Sequence, residues 1–353
     1  MTKAAELAKM GEVLTNSQIG GRRNIVINGG MNVAQRSTSV TGLGAASGYF
    51  TLDRWQLNEG DASAGRLTMS QTSDGPNGVS ANCLKLDCTT ADTSIAAGEL
   101  LNIRQKIEGQ DLQSIGKGVT GAKEITVSFY VKASAAFNFI VELNDNDNSR
   151  QMSKLYATTT DWVRHELTFP ADVDDGSSPF GDDNAHSLNL AFWLHAGSTY
   201  TSGTLETSFA NTTNANRAAG ISSFFSSTDN NFFLTGVQME VGSQATPFEN
   251  RSYGEELALC KRYYNDSGVF SQYLLGRAAT TGTPLQTYFF EIEMRAAPTV
   301  TDDGNWTAGD GYQDDVAYNV ITNKSFRFTG TENISAGTIE WINAGTVFMD
   351  SEL

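Results

Sequence analysis

Three His, three Cys, 40 Asp and Glu, and 24 Lys and Arg are the groups from which this 353-residue chain could build a reactive site. Catalysis or metal binding needs several such groups to converge, and their spacing does not arrange that. His165-Glu166 opens like the zinc-protease helix, but Phe169 stands where the second histidine belongs, and the run alternates like a strand. Gly116-Lys117 resembles the end of a phosphate loop, but Gly118 replaces the hydroxyl residue that would hold magnesium. Gly42, Gly44 and Gly48 are spaced one residue too widely for a dinucleotide fingerprint. Neither a G-x-S-x-G elbow nor a C-x-x-C pair occurs. His165, His186 and His195 are scattered and read as strand or surface residues. A glycosidase pair of carboxylates can be distant in sequence, so acids this abundant identify none. The expectation is a protein that is not an enzyme.

Two acidic loops raise the question of a metal. Asp145, Asp147 and Ser149 open like a calcium loop, but Arg150 occupies the obligatory glycine position and Tyr156 that of the bidentate Glu. Asp174, Asp175, Asp182 and Asp183, with Asp172, form a second cluster. It reads first as a solvated turn and second as a structural calcium clamp; no other cofactor is expected. Aromatic residues offer a different chemistry, because exposed rings stack on the apolar faces of sugars. Trp193 and His195 fall opposite Leu190, Phe192 and Leu194, and Tyr130 falls opposite the apolar positions of its own strand. These three are the candidate carbohydrate contacts. Covering of Trp193 by a loop or a neighbouring chain is the competing expectation, and Trp55 reads as interior.

Charge narrows the partners. The balance of 24 − 40 gives −16, which disfavours a nucleic-acid backbone and an anionic membrane surface. No apolar run approaches bilayer length, so no membrane insertion is expected. Residues 1–16 hold no apolar signal core, so folding in a cytoplasm is expected. Cys83 and Cys88 lie five apart in one strand-like run and face opposite ways; with Cys260 they read as small buried residues.

The elements that must position these groups are mostly strands. Residues 4–14 carry a helical stripe of Ala4, Leu7, Ala8, Gly11 and Leu14. So short a helix is marginal alone, which makes Leu7 and Leu14 candidates for attachment or oligomerisation. Residues 16–23 read as a linker. From Ile25, Val26 and Ile27 the pattern is β, with 49–57 read as an aromatic strand. Ile125, Val127, Phe129 and Val131, then Phe137, Phe139, Val141 and Leu143, then Leu188, Leu190, Phe192 and Leu194 keep a period of two. Many such strands separated by polar turns give an antiparallel sandwich or jelly roll. Ser252 to Glu255 fits a capping box, and Leu257, Cys260 and Tyr264 mark a helical face ended by Asn265 to Gly268. Strands return at 288–294, 325–329 and 338–348. The expected fold class is mainly β: an antiparallel jelly-roll β-sandwich (24–250), a linking helix (251–267) and a second, smaller β-sandwich domain (268–353), preceded by the short N-terminal helix and linker (1–23).

Several blocks carry a resemblance. They are Asn28 to Arg36 (NGGMNVAQR), Tyr49 to Trp55 (YFTLDRW), Leu234 to Gly242 (LTGVQMEVG), Thr246 to Glu249 (TPFE) and Arg251 to Tyr264 (RSYGEELALCKRYY), followed by Met294 to Val300 (MRAAPTV) and Ser351 to Leu353 (SEL). The series resembles tailed-phage fibre and adhesin proteins of marine and environmental phages. That resemblance implies a carbohydrate-binding-module-like jelly roll, a linking helix and a β-rich C-terminal domain in a virion appendage. It also implies a homotrimer, contacts with other virion proteins through the N-terminus, and a host surface glycan as ligand. The chain is short and carries no long shaft, which favours a short or capsid-mounted fibre. The alternatives are a capsid decoration, head-fibre or tail-connector protein with an assembly role, and a glycan-degrading enzyme.

Overall fold

The computed structural model describes residues 3, 23–61, 63–173, 178–269, 273–277, 285–306, 316–330, 339–342 and 345–353. The helical stripe expected at 4–14, with Leu7 and Leu14, lies outside them, as do Asp174 and Asp175. The chain divides into two units after Ser252.

Twelve strands in the first unit form two six-stranded antiparallel sheets. They are β1 (Ser39–Leu43), β2 (Gln56–Gly60), β3 (Arg66–Thr72), β4 (Cys83–Thr90), β5 (Leu100–Glu108), β6 (Ile125–Ala133), β7 (Asn138–Asp145), β8 (Arg150–Ala157), β9 (Val163–Phe169), β10 (His186–Ala196), β11 (Ala210–Asn211) and β12 (Asn231–Val241). A one-turn helix α1 (Ser198–Thr201) follows β10. The first sheet runs β1-β3-β4-β12-β6-β9 and the second β11-β8-β7-β10-β5-β2. Crossovers that place β12 between β4 and β6, and β10 between β7 and β5, give the jelly-roll sandwich. The alternating apolar residues meet between the sheets: Leu84, Leu86, Phe129, Val131 and Leu234 from one, Leu101, Ile103, Val141, Leu143 and Phe192 from the other. Phe129 and Phe192 pack edge to face at 5.0 Å across this core. Cys83 and Cys88 are free and buried, as read.

Two expected strands are not strands. Residues 25–27 and 49–55 lie outside any ladder, and isolated backbone bonds such as Ile25 N to Met239 O share with side chains the work of satisfying their backbone. Asn28 adopts a positive φ of 57°, and its amide donates to the carbonyls of Val33 (2.8 Å) and Asp53 (3.0 Å). The Trp55 indole donates to Asn28 O at 3.0 Å, and the Gln105 amide brackets Ile27 N and O at 2.8 Å each. A short run of apolar residues looks the same to periodicity whether a ladder or side chains satisfy its backbone.

The second unit opens with α2 (Tyr253–Lys261), the helix expected after Ser252. It stops at Lys261, earlier than the expected Asn265. Tyr264 and Asn265 already pair with Asp350 and Met349, and that ladder replaces another helical turn. The remaining strands are β13 (Tyr264–Val269), β14 (Tyr273–Arg277), β15 (Leu285–Phe289), β16 (Thr299–Asp302), β17 (Val316–Asn319), β18 (Ser325–Gly330), β19 (Ile339–Ile342) and β20 (Thr346–Asp350). They form three small antiparallel sheets, β13-β20-β16, β14-β19 and β15-β18-β17. Phe326, Phe328, Val347, Met349, Met294 and Trp306 make this unit's own core.

Candidate functional site

The outer face of the second sheet does not follow the usual division into a buried face and a wet one. Antiparallel register places its outward side chains in rows that cross the strands. One row runs Lys106 (β5), Asn189 (β10), Asn144 (β7) and Gln151 (β8). The next runs Gln56 (β2), Arg104, Ala191, Glu142 and Ser153. A third runs Asn58, Asn102, Trp193, Ile140 and Leu155. Asn102, Glu142, Gln151, Ser153, Asn189 and Trp193 on this nominally outer face are all buried.

The segment between β10 and β12 explains part of that burial. It folds back over β7, β8 and the end of β10, where Arg217 O accepts from Ser153 Oγ and Thr213 O from Gln151 Nε2. Trp193, a candidate sugar contact with covering by a loop as the competing expectation, is the covered kind: it is fully buried in a second apolar cluster with Ile140, Ala191 and Ala218. Its indole donates to Glu142 Oε2 at 2.9 Å, and the Arg217 guanidinium stacks 4.9 Å from its ring. Arg217 also forks onto Glu142 at 2.7 and 2.8 Å, so one carboxylate holds both covering groups. Trp193 is a wall of the face rather than an exposed stacking platform.

His195 is corrected in the same way. Its side chain is fully buried, with Nδ1 2.8 Å from Ser223 Oγ and Nε2 3.1 Å from Glu99 Oε2. A carboxylate only accepts, so Nε2–H donates to Glu99 and Nδ1 accepts from the Ser223 hydroxyl. Ser, His and Glu are the residue types of a catalytic triad, which sequence spacing could not show because they lie far apart. Burial holds the His195 pKa below its ordinary value, Glu99 pulling against that. Phe225 packs 5.3 Å from the imidazole. The chain of bonds ties the covering segment to β10.

Tyr130 faces outward and is half-buried, as expected, but on the other sheet. It pairs with Arg164 across β9 and abuts the β12 bulge at Gly236, whose φ of 59° suits glycine. Tyr130 therefore cannot share a ligand with Trp193 or His195. A surface pocket of about 440 Å³ lined by Asn32, residues 75–81 and Asn250 lies elsewhere and offers neither an aromatic nor a charged side chain.

Elsewhere on the second sheet's face, sequence reasoning missed the residues that stand out. Asn102 and Asn189 are 2% and 6% exposed, and Asn102 Oδ1 has no hydrogen-bond partner. His186 is half-buried, and its side chain hydrogen-bonds with that of Asn189. Burial holds the His186 pKa down to about 4, aided by the neighbouring charges of Lys106 and Arg104. Arg104 is half-buried, its guanidinium bonded only through Nε to Gln56 Oε1 at 2.7 Å. Burial also lowers its pKa, which Tyr49 offsets in part. The register rows were the signal that could have found these residues, because they read as polar positions beside apolar neighbours on β5 and β10.

The acidic loops hold protein cations. Asp145 and Asp172 are buried, and Lys117 Nζ lies between them at 2.7 and 3.9 Å. Arg150 forks onto Asp172 at 2.7 Å twice. Asp182 and Asp183 are exposed, and Asp183 Oδ1 accepts from Ala185 N. Among the described residues no group of three or more His, Cys, Asp and Glu is arranged to hold a metal ion.

No family model matches the chain, and no curated protein matches it. Among solved structures, it is similar to a carbohydrate-binding module, TmCBM61, in complex with β-1,4-galactotriose, at 12% identity over 62% of this chain and 99% of the module, with a TM-score of 0.30. A family 11 carbohydrate-binding module from Clostridium thermocellum, in complex with a β-1,3-1,4-mixed-linked tetrasaccharide, is 12% identical over 60% of this chain and 99% of that one, with a TM-score of 0.28. The tandem CBM22 modules of Paenibacillus barcinonensis Xyn10C are 10% identical over 91% of this chain and 93% of theirs, with a TM-score of 0.28. Similarity at these scores transfers no residue role.

Proposed function

We propose that this chain is a non-catalytic glycan-binding protein whose ligand lies on the outer face of the second sheet. The observation that supports this is a buried polar atom with no protein partner, Asn102 Oδ1, on a face whose neighbouring rows carry Arg104, Lys106 and Asn189. A buried polar group left unpaired costs about 1–3 kcal/mol, so such groups gather where a polar ligand completes them. A chain of sugar rings offers hydroxyl donors and acceptors at the spacing of neighbouring strands, and the Trp193–Arg217 wall bounds the floor on one side. A glycan array probed with the full chain tests the reading. Binding that drops in Asn102→Ala and Asn189→Ala is the expected result; no bound glycan, or binding indifferent to both variants, overturns it.

The sequence blocks support a finer reading: a structural virion fibre of a tailed phage, homotrimeric, attached through residues 1–23 and adhering to host surface glycans. Its competitor is a decoration or connector protein with an assembly role. Adhesion of the isolated protein to host cells separates the two, and a monomer in sedimentation at micromolar concentration removes the trimer.

A hydrolase is the second reading, favoured by one observation, the Ser223–His195–Glu99 chain. Labelling of Ser223 by a fluorophosphonate would establish it. The burial of His195 argues that Ser223 stays unlabelled.

A further inference from the structure

We infer that the glycan bound on this face is acidic, with its carboxylate or sulfate ester received by Arg104. The inference rests on the glycan-binding reading and names the class of ligand. Arg104 occupies the middle row, between Gln56 on β2 and Ala191 on β10, with Asn102 and Lys106 beside it on β5. The guanidinium that the covering segment lays on that row, Arg217, is neutralised by Glu142. Glu142 in turn is saturated, accepting from Arg217 Nε, Arg217 Nη2 and the Trp193 indole. Arg104 has no carboxylate within ion-pair distance among the described residues. A half-buried guanidinium has lost part of its hydration, and the Gln56 amide oxygen returns one hydrogen bond of it but no full charge.

The remaining acids around the face are otherwise engaged. Glu108, at the end of β5, is buried and accepts from Gln110 Nε2 at 2.5 Å. Asp147, near His186, accepts from Gly181 N at 3.0 Å. The face thus gathers Arg104 and Lys106 in two adjacent rows of a chain whose net charge is −16. A neutral sugar would satisfy the amides and leave Arg104 uncompensated, whereas an anionic one completes both. The planar fork of arginine fits two oxygens of one carboxylate or sulfate, which a lysine cannot do.

Three oligosaccharides of equal length test this by calorimetry on the full chain: a neutral galacto-oligosaccharide, an oligogalacturonate and a sulfated galacto-oligosaccharide. The expected result is that one charged probe binds about tenfold more tightly than the neutral one, the scale of a charge-assisted hydrogen-bond pair. Whichever probe it is distinguishes carboxylate from sulfate. Arg104→Gln should erase the advantage and leave the neutral affinity in place, and Arg104→Lys should restore part of it. Thermal unfolding of both variants checks that the sandwich is intact. Equal affinity for all three probes overturns the inference, as does an advantage that survives Arg104→Gln or an absence of binding to any of the three. The glycan reading beneath it falls separately, on the array.

Discussion

At the residue scale, Trp193 shows what alternation can and cannot tell. The period of two in β10 separated Trp193 from Leu190 and Phe192, and the structure keeps that separation. Alternation does not say whether the second face meets water, because that depends on a segment with no periodicity of its own. Trp193→Ala should therefore cost about 3–5 kcal/mol in denaturant unfolding, the range for a buried large aromatic, rather than remove binding from an intact fold. Glu59 yields a second residue-scale prediction. Burial raises its pKa to about 7; Arg66 opposes the shift and Glu99 adds to it. The folded carboxyl thus holds a proton that the unfolded one has released, and stability falls as pH rises from about 4.5 to about 7. His186 acts in the opposite sense: its depressed pKa of about 4 makes stability rise with pH up to about 6.5. Glu59→Gln should be more stable than wild type near pH 8, with the gain vanishing near pH 4; a gain independent of pH would contradict the assignment.

At the element scale, strands were legible wherever the apolar residues sit on one face of a ladder, as in β5, β6, β7 and β10. The connections were not. The sequence reads 145–150 and 172–183 as acidic loops, and charge alone cannot say whether water, a metal or a lysine answers them. Lys117 lies in an unremarkable Gly-Lys-Gly turn, yet its ammonium joins Asp145 on β7 to Asp172 in the loop after β9, and Ser178 O accepts from it at 2.7 Å. Three connections are pinned by one buried cation. Lys117→Met should cost about 3–5 kcal/mol, because it leaves Asp145 charged, buried and short of its partner. A chelator should leave the wild-type melting temperature unchanged, since the cation between these carboxylates is covalently part of the chain. A drop on chelation would restore the calcium clamp.

At the scale of the whole molecule, three of the sequence blocks, 234–242, 246–249 and the one that starts at Arg251, lie where the first unit closes on itself. Asn24, at its start, donates from Nδ2 to Val237 O at 3.0 Å and accepts from Met239 N, also at 3.0 Å. From its end, Glu249 Oε2 accepts from Arg23 N at 2.7 Å, and Arg251 reaches back to the carbonyls of Asn24 and Val26. Thr246 N donates to Glu240 Oε1 at 2.8 Å and holds the exit chain against β12. Residues of this kind satisfy backbone that no strand pairs, so such a motif specifies a fold more directly than it specifies a ligand. The consequence is a sharp boundary for truncation. A chain ended after Ser252 keeps every bond of this clasp and should unfold cooperatively and bind glycan as the full chain does. A chain ended after Val241 keeps all twelve strands of the sandwich but loses Thr246, Glu249 and Arg251. It keeps the Asn24 side-chain bonds to β12 but removes the Glu249 bond to Arg23 N and the Arg251 bonds to the Asn24 and Val26 carbonyls, at about 1–3 kcal/mol for each polar group left buried and unmet. It should melt well below the longer fragment in thermal unfolding followed by far-ultraviolet circular dichroism. Equal melting temperatures for the two fragments would mean that the strands alone close the sandwich.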